Sequence, residues 1–307
     1  MSYASTVEPF RAANLLARRE LYQILHFSTG AAVPSSGAAV VPVDRLVGEM
    51  PDLDLLVVVA GGDPAGFADE RVFAWLRRMA RRGVMIGGVS GGPVILARAG
   101  LMAGRRMTVH WEHAGALAEI SPNLLIERSL YVIDRDRVTC AGGTAPMDLM
   151  HALIARDHGR AFARLVSDWF MHTDVRPSGG PQRGGLVERV GTTSAPVLAA
   201  VQAMEAHVAD PLTLGELAQI AGVSTRQLNR LFRERLGAST MGHYRDLRLD
   251  TARRLVTQTP LSLTEVAVAC GFASSAQFSR AFRRRYGLPP SRLRARAGAA
   301  GESSRAG

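Results

Sequence analysis

A short glycine-rich turn contains residues that could do chemistry. It reads Gly-Val-Ser-Gly-Gly from Gly88 to Gly92, between an apolar run and a run with helical spacing. A strand-to-helix turn of this kind presents its serine, Ser90, at a helix N-terminus, where free N–H groups favour an anion or oxyanion. His110 and Glu112 follow downstream, so a serine nucleophile with a histidine base is one interpretation.

Two other interpretations of the turn remain open, a ligand pocket and a purely structural turn. Five-residue Gly/Ser patterns are common, and the α/β-hydrolase order requires an acid and then a late histidine. A chain of 307 residues that also holds a second domain leaves little room for that order. The sequence therefore favours a ligand pocket over catalysis.

A second pattern is an internal repeat in the C-terminal half. The first copy contains Gln227, Arg230, Phe232, Arg233, Arg235 and Gly237, and the second contains Gln277, Arg280, Phe282, Arg283, Arg285 and Gly287. Each copy has the pattern of a short helix, a turn at Gly222 or Gly271, and a second helix. Ala218 and Ala267, four residues before those glycines, would let two helices cross closely. Two tandem helix-turn-helix units are predicted.

The second helix of each unit has a polar face suited to DNA. Leu228, Leu231 and Phe232 form the predicted buried stripe of the first unit, and Phe278 and Phe282 that of the second. The residues predicted to face DNA are Arg226, Asn229, Arg230, Arg233, Ser275, Ser279, Arg280, Arg283 and Arg284. Arginine reads guanine and asparagine reads adenine in the major groove. Arg284, Arg285 and Arg292 are expected to contact phosphates, with surface salt bridges as the alternative.

The charge distribution supports this assignment. The chain carries a formal net charge of +10, and from Val201 onward 16 arginines face 8 acidic residues. A basic excess confined to the repeat is expected of a phosphate-binding module. The sequence shows no apolar run long enough to cross a bilayer and no N-terminal signal, so a cytoplasmic protein without membrane partners is expected. Cys140 and Cys270 form neither a disulfide framework nor a metal cluster, and no cofactor is expected.

The N-terminal half alternates strands and helices. We predict a helix over 1–14, strands over Leu21–Phe27, Leu53–Ala60 and Val84–Val89, and a short apolar segment over Ala38–Val41. A hairpin formed by Leu130–Ile133 and Val138–Cys140 is also predicted, with helices over Asp69–Arg82, Pro93–Ala99, Pro146–Asp157 and Gly159–Met171. This order favours a parallel sheet covered on both faces. The predicted domains are a flavodoxin-like α/β domain over 1–175, a linker over 176–195, an all-α DNA-binding domain over 196–300 and a disordered tail over 301–307. In the linker, the alternative is an ordered loop packed on the first domain.

Three segments resemble a known family. VSGGPVILARAGLMAGRRMTVHWEHAGAL and CAGGTAPMDLMHALIARDHG are similar to the sensor domain of GlxA-type regulators, which resembles PfpI-type class I amidotransferases. GFASSAQFSRAFRRRYGLPPSRLR resembles the AraC/XylS DNA-binding signature. The resemblance implies a ligand pocket formed by Glu8, Ser90, Gly91, His110, Trp111 and Glu112. It also implies an effector such as an amino acid or quaternary ammonium compound, because carboxylates and aromatic rings attract ammonium groups.

Two departures from the family pattern matter. The enzymes of the superfamily carry a cysteine where this chain has Ser90, and a serine hydroxyl does not readily ionise, which favours sensing over hydrolysis. Family members usually begin with an apolar strand before the helix that contains Glu8. Two expectations follow: either the sheet lacks this strand and has an unpaired edge, or the true start of the protein lies upstream.

Together these features predict a transcription regulator that binds double-stranded DNA and responds to a small nitrogenous effector. A homodimer that contacts RNA polymerase and activates transcription is expected. The alternatives are an amidase or hydrolase that uses Ser90 and carries a DNA-binding tail, and a regulator whose first domain only dimerises.

Overall fold

A computed structural model describes residues 1–35, 39–259 and 261–303. The chain divides into two compact units, Met1–Gln182 and Arg183–Gly307. No helix in the described residues is both long and apolar enough to span a membrane.

The first unit contains ten strands and six helices in its described part. The strands are β1 Phe27–Ser28, β2 Ala32–Pro34, β3 Val40–Pro42, β4 Arg45–Leu46, β5 Leu55–Ala60, β6 Met85–Ser90, β7 Arg106–Met107, β8 Leu125–Ile126, β9 Tyr131–Asp134 and β10 Arg137–Cys140. The helices are α1 Ser2–Ala17, α2 Glu70–Arg81, α3 Gly92–Arg98, α4 Trp111–Ile120, α5 Ala145–His158 and α6 Arg160–Trp169.

The main sheet has the order β5-β6-β10-β9. β5 and β10 both run parallel to β6, and β9 is antiparallel to β10. Successive residues of β5 enter different cores: Leu56 packs with α2 and α3, whereas Leu55 and Val57 pack with α5. Side chains of a strand alternate between faces, so this division means that helices cover both faces. The predicted parallel α/β architecture is confirmed.

The predicted strand over Leu21–Phe27 is wrong for most of its length, because only Phe27 lies in a strand. Side chains replace the ladder here: the Asn14 amide oxygen accepts hydrogen bonds from the N–H groups of Leu21 and Tyr22 at 2.8 and 2.9 Å. Asp44 accepts one from the N–H of His26 at 2.8 Å. In the short apolar segment, β3 covers Val40–Pro42, and Ala38 lies outside the described residues.

The outer edge of β5 is the unpaired edge expected from the sequence. Within the described residues β5 pairs with β6 alone, while the short β1 pairs with β4. Val59 of β5 is exposed there. An apolar strand at a sheet edge is a place where another backbone could pair.

The second unit is helical. Its helices are α7 Leu186–Val190, α8 Ala195–Ala206, α9 Leu214–Ile220, α10 Thr225–Leu236, α11 Thr240–Gln258, α12 Leu263–Ala269, α13 Ser275–Tyr286 and α14 Pro290–Ser303. Helix α14 includes residues 301–303, which were predicted to be disordered, while 304–307 lie outside the described residues.

The segment predicted as a linker is shared between the units. The Gln182 amide nitrogen donates to Thr108 Oγ1 at 2.9 Å and to the Ser129 carbonyl at 2.7 Å, so the residues up to Gln182 pack on the first unit. Helix α7 belongs to the second unit, where Arg189 forms a 2.7 Å ion pair with Glu205 on α8. The segment is therefore ordered at both ends.

The turn between β6 and α3 is so tight that a substitution there tests the packing. A Cβ atom at Gly92 would overlap the carbonyl oxygen of Val58 on β5. We expect Gly92→Ala to destabilise the first unit by more than about 3 kcal/mol, a value typical of severe steric clashes. Gly115→Ala is the matched control, since Gly115 lies in α4 with open space around its Cβ.

Differential scanning calorimetry of the full chain checks this expectation. The control should be neutral or stabilise the chain by up to about 1 kcal/mol, because alanine is the better helix former. Equal effects of the two substitutions would contradict the described turn.

Candidate functional site: the recognition helices and the Ser90 turn

The first helix-turn-helix unit is formed by α9 and α10. Thr213 and Glu216 form a capping box at the start of α9, with Glu216 accepting from the Thr213 N–H at 2.7 Å. Gly222 takes the left-handed conformation that the turn requires, at φ +66°. The Ser224 hydroxyl then accepts from the Gln227 N–H and starts α10. Ala218 is buried where the helices cross.

The orientation of α10 follows from its apolar residues. Leu228 and Phe232 are fully buried in the core that α8, α9 and Tyr244 share. Arg226, Arg230 and Arg233 are exposed as predicted. Arg230 forms one ion pair, at 3.7 Å with Glu234 on the same exposed face, and such a pair is weak enough to exchange for a DNA contact.

Asn229 has a role that the sequence did not indicate. It is half-buried, and its amide oxygen accepts a hydrogen bond from the N–H of Thr240, the first residue of α11, at 3.1 Å. The corresponding positions in the second repeat hold Ser279 and Pro290, and proline has no N–H to satisfy. Bidentate reading of adenine by Asn229 remains a prediction, and it would require this hydrogen bond to open.

The second helix-turn-helix unit, formed by α12 and α13, has the same kind of cap, turn and buried residues as the first. Ser262 and Glu265 form a capping box, and Gly271 has a φ of +68°. Phe278 and Phe282 are fully buried. Of the predicted DNA-facing residues on α13, Ser279 is half-buried and the others are exposed, namely Ser275, Arg280, Arg283 and Arg284.

Arg285 is held within the protein. Its guanidinium lies 3.6 Å from Asp246 and 3.7 Å from Asp250, both on α11. The Tyr286 hydroxyl also donates to Asp250, at 2.6 Å. These contacts favour the salt-bridge alternative for Arg285, whereas Arg284 forms no ion pair among the described residues.

Helix α11 connects the two helix-turn-helix units through Tyr244 and Arg248. Tyr244 is buried in the first helix-turn-helix unit, where its hydroxyl donates to the His207 carbonyl and accepts from the Leu212 N–H. One turn later, the Arg248 guanidinium donates to the Gly271 carbonyl at 2.8 Å and lies 4.7 Å from the centre of the Phe272 ring. Burial lowers the pKa of Arg248. Sequence reasoning missed this residue because an arginine in a basic helix is indistinguishable from a surface charge.

The Ser90 turn has the geometry predicted for it. Ser90 ends β6 with a φ of +61°, a left-handed conformation that is uncommon for a residue with a side chain. Within the described residues its hydroxyl has no hydrogen-bond partner. A Cβ at Gly91 would lie 2.8 Å from Pro64, and one at Gly142 would lie 2.6 Å from the Ser90 Cβ. Glycines therefore permit the close approach of three segments around Ser90.

His110 and Glu112 lie beside this turn without forming a catalytic pair with the serine. The link from His110 to Ser90 is through the backbone, with the His110 N–H donating to the Ser90 carbonyl at 3.3 Å. The His110 ring caps α4 by accepting from the Glu112 N–H at 3.3 Å, and it lies 5.4 Å from the Trp111 ring. Burial lowers the pKa of His110, so its imidazole is neutral at pH 7.

Glu112 has no arginine partner among the described residues. Its carboxylate lies 3.8 Å from His110 Nδ1, which would pair with it only if the ring were protonated. The Glu112 side chain is partly exposed and forms no other ion pair in the described part of the chain. An unpaired carboxylate next to Trp111 is a suitable environment for a cation.

Glu8 is placed differently from the expectation. It forms a 2.6 Å ion pair with Arg11 on the exposed side of α1, and no described contact joins it to Ser90, His110 or Glu112. From the same helix, the Ser2 hydroxyl accepts from the N–H of Gly143 at 2.9 Å, and Gly143 follows the Gly142 that lies against Ser90.

A chain of polar side chains near the start of α1 was also missed. The Tyr3 hydroxyl lies 2.9 Å from His26 Nε2, and His26 Nδ1 lies 2.8 Å from Asp44. These residues are far apart in the sequence, so no local pattern could have identified them. Among the described residues, no group of His, Cys, Asp and Glu could hold a metal ion.

Comparison with known proteins agrees with both halves of this description. Residues 2–156 match the DJ-1/PfpI family, and residues 217–296 match a helix-turn-helix domain family. A crystal structure of an AraC family transcriptional regulator from Pseudomonas putida is similar to 55% of this chain and 91% of its own, with 29% identity and a TM-score of 0.50.

Relatives are similar over nearly the whole chain. The HTH-type transcriptional regulator GlxA of Rhizobium meliloti is 47% identical over 300 residues, which cover 97% of this chain and 93% of the relative. The HTH-type transcriptional regulator CdhR of Pseudomonas aeruginosa is 41% identical over 297 residues, covering 96% and 88%. Both relatives are named as transcriptional regulators. The chain therefore belongs to the GlxA-type members of the AraC family of DNA-binding transcription regulators, in which a DJ-1/PfpI domain precedes the helix-turn-helix domain.

Proposed function

We propose that α10 and α13 enter successive major grooves on one face of the DNA. The observation that carries this proposal is that α10 and α13 each present exposed arginines opposite a fully buried apolar stripe, and that one helix, α11, joins them. Arg226, Arg230 and Arg233 of α10 would read bases in one groove. In the next groove this role falls to Ser275, Ser279, Arg280 and Arg283 of α13, and Arg284 would contact phosphate.

We infer that the first unit binds a small nitrogenous effector beside the Ser90 turn. Glu112 would attract an ammonium group, and Trp111 would contribute its ring face. Ser90 and Gly91 would supply hydroxyl and backbone hydrogen bonds, and the neutral His110 would hold the start of α4 in place. Glu8 has a weaker claim than the sequence suggested, because Arg11 already neutralises its carboxylate.

The regulatory step in this proposal is a shift between conformations or dimer arrangements. An effector changes such an equilibrium only by its different affinity for the two states. Two copies on paired DNA sites would then recruit RNA polymerase and activate transcription. The rival functions are hydrolysis by Ser90 and ligand-free dimerisation. Hydrolysis is disfavoured because no hydrogen bond joins the described Ser90 and His110 side chains.

The effector proposal predicts a specific thermal shift. The full chain is heated with and without amino acids, betaines and small amines. A ligand at about 100 times its Kd should stabilise the first unit by about 2.7 kcal/mol, which corresponds to roughly 5–10 °C. Glu112→Gln should abolish the shift because it removes the unpaired charge. Glu8→Gln is the control and should retain it.

Other outcomes separate the rivals. A folded protein that no compound shifts would favour a scaffold that only dimerises. A shift that survives Glu112→Gln would place the effector elsewhere, and turnover of small amides that Ser90→Ala abolishes would establish hydrolysis.

The DNA proposal predicts that replacing two different arginines by alanine will reduce DNA affinity in different ways. Arg230→Ala should cost about 1–3 kcal/mol on a site selected from random DNA and should relax the preference at one base pair. Arg284→Ala should weaken binding on all sequences alike and lower the salt slope, the fall of log K with log salt, by about one. Binding isotherms on selected and unrelated duplexes, over a range of salt concentrations, measure both.

The pattern of losses decides the assignment. If Arg230→Ala reduced affinity equally on every sequence, Arg230 would be a phosphate contact. An unchanged salt slope would remove Arg284 from the interface.

A further inference from the structure

Helix α6 carries apolar residues on two sides. Ala163 and Val166 face inward, where they pack with Ala12 and Ala13 of α1 and Ile154 of α5. A surface helix of a globular protein usually has one such stripe and a polar opposite face. In α6 the outward side is also apolar, which requires a separate explanation.

The outward residues of α6 form a continuous strip. Leu165 is 57% exposed and Trp169 is 51% exposed, and they are four positions apart, so they lie one turn apart on the same face. The exposed Ala161 extends the strip by one more turn. Met171, directly after the helix, is 85% exposed. A half-exposed tryptophan in line with a leucine and a methionine is characteristic of an association surface.

The charges beside the strip are self-complementary. Arg164 and Asp168 form an ion pair at 3.1 Å along one border of the strip, with both side chains about half exposed. If two copies of α6 pack antiparallel across a two-fold axis, Arg164 of one copy faces Asp168 of the other, and the reverse contact follows by symmetry. An unrelated partner would need its own matching pair, whereas a second copy supplies it automatically.

We propose that the outer face of α6, formed by Ala161, Leu165, Trp169 and Met171 and bordered by Arg164 and Asp168, is the surface through which two copies of this chain dimerise. This gives a surface to the homodimer assumed in the proposed function, and it rests on that proposal only for its consequence on DNA. Two ten-residue helices bury less than the 1,200 Å² or more of a typical stable interface. The association should therefore depend on protein concentration.

Sedimentation velocity of the full chain over a range of concentrations tests the apolar part of the surface. The unmodified chain should dimerise, and Trp169→Arg and Leu165→Arg should each weaken the dimer at least tenfold. Leu125→Arg is the matched control because Leu125, at 52% exposed, belongs to a different part of the first unit. A chain that stays monomeric at all concentrations, or a dimer unaffected by both α6 variants, would overturn the proposal.

Charge exchange tests the geometry without adding bulk to the apolar strip. Arg164→Asp and Asp168→Arg should each weaken the self-association, since each places like charges across the axis. An equimolar mixture of the two variants should associate more strongly than either alone, and the double exchange should restore the dimer. Reversal of the exposed Arg45–Glu49 pair should have no effect. Failure of the mixture and of the double exchange to recover association would contradict the antiparallel arrangement.

The outcome for DNA is measured separately on the same variants. A monomeric variant that still binds a single selected site would leave the DNA-binding proposal intact. A variant series in which dimerisation behaves as expected while no sequence-specific DNA is bound would overturn the DNA proposal and leave the α6 surface standing.

Discussion

The contact between the half-buried Arg248 on α11 and the turn at Gly271 is the interaction on which the arrangement of the DNA-binding half depends. Helix α11 spans 19 residues, or about 28 Å, and it contributes to the cores of both helix-turn-helix units. Tyr244 packs the helix against the first helix-turn-helix unit. Arg248 connects it to the second helix-turn-helix unit through the Gly271 carbonyl and the Phe272 ring. Because Gly271 is the turn between α12 and α13, the same contact fixes the position of the second recognition helix. Even partial burial makes a guanidinium costly to desolvate, and the hydrogen bond and the ring contact offset that cost.

Left-handed backbone conformations have different roles in the DNA-binding half and in the Ser90 turn. In the helix-turn-helix units, glycines at left-handed turns orient two helices so that apolar residues pack and arginines face outward. At β6, a serine adopts the left-handed conformation and surrounding glycines make the space for it. The β6 turn has the form of a catalytic elbow. The groups around it lack the connections for catalysis, since His110 caps α4 and makes no side-chain bond to Ser90.

Sequence patterns predicted the elements that depend on local order. The repeat predicted both turns and the buried residues of α10 and α13, because turn glycines and apolar spacing are properties of neighbouring residues. The strand prediction for Leu21–Phe27 was wrong because backbone N–H groups of this segment donate to the side chains of Asn14 and Asp44. Glu8 resembled a pocket residue in the linear sequence, yet its nearest charge, Arg11, lies one turn away on the same helix. Long-range contacts such as Asn229–Thr240 and Arg248–Gly271 have no signature in spacing.

The central claim is that one rigid helix holds two recognition helices at a fixed separation on one face of the DNA. The most direct test is the affinity of the full chain for a duplex selected from random DNA, compared with the same duplex carrying 5 bp inserted between its two conserved blocks. Half a helical turn moves one block to the opposite face, so binding should fall to the non-specific level, with a Kd of about 10⁻⁴–10⁻⁶ M at physiological salt. Unchanged affinity after the insertion would contradict the account.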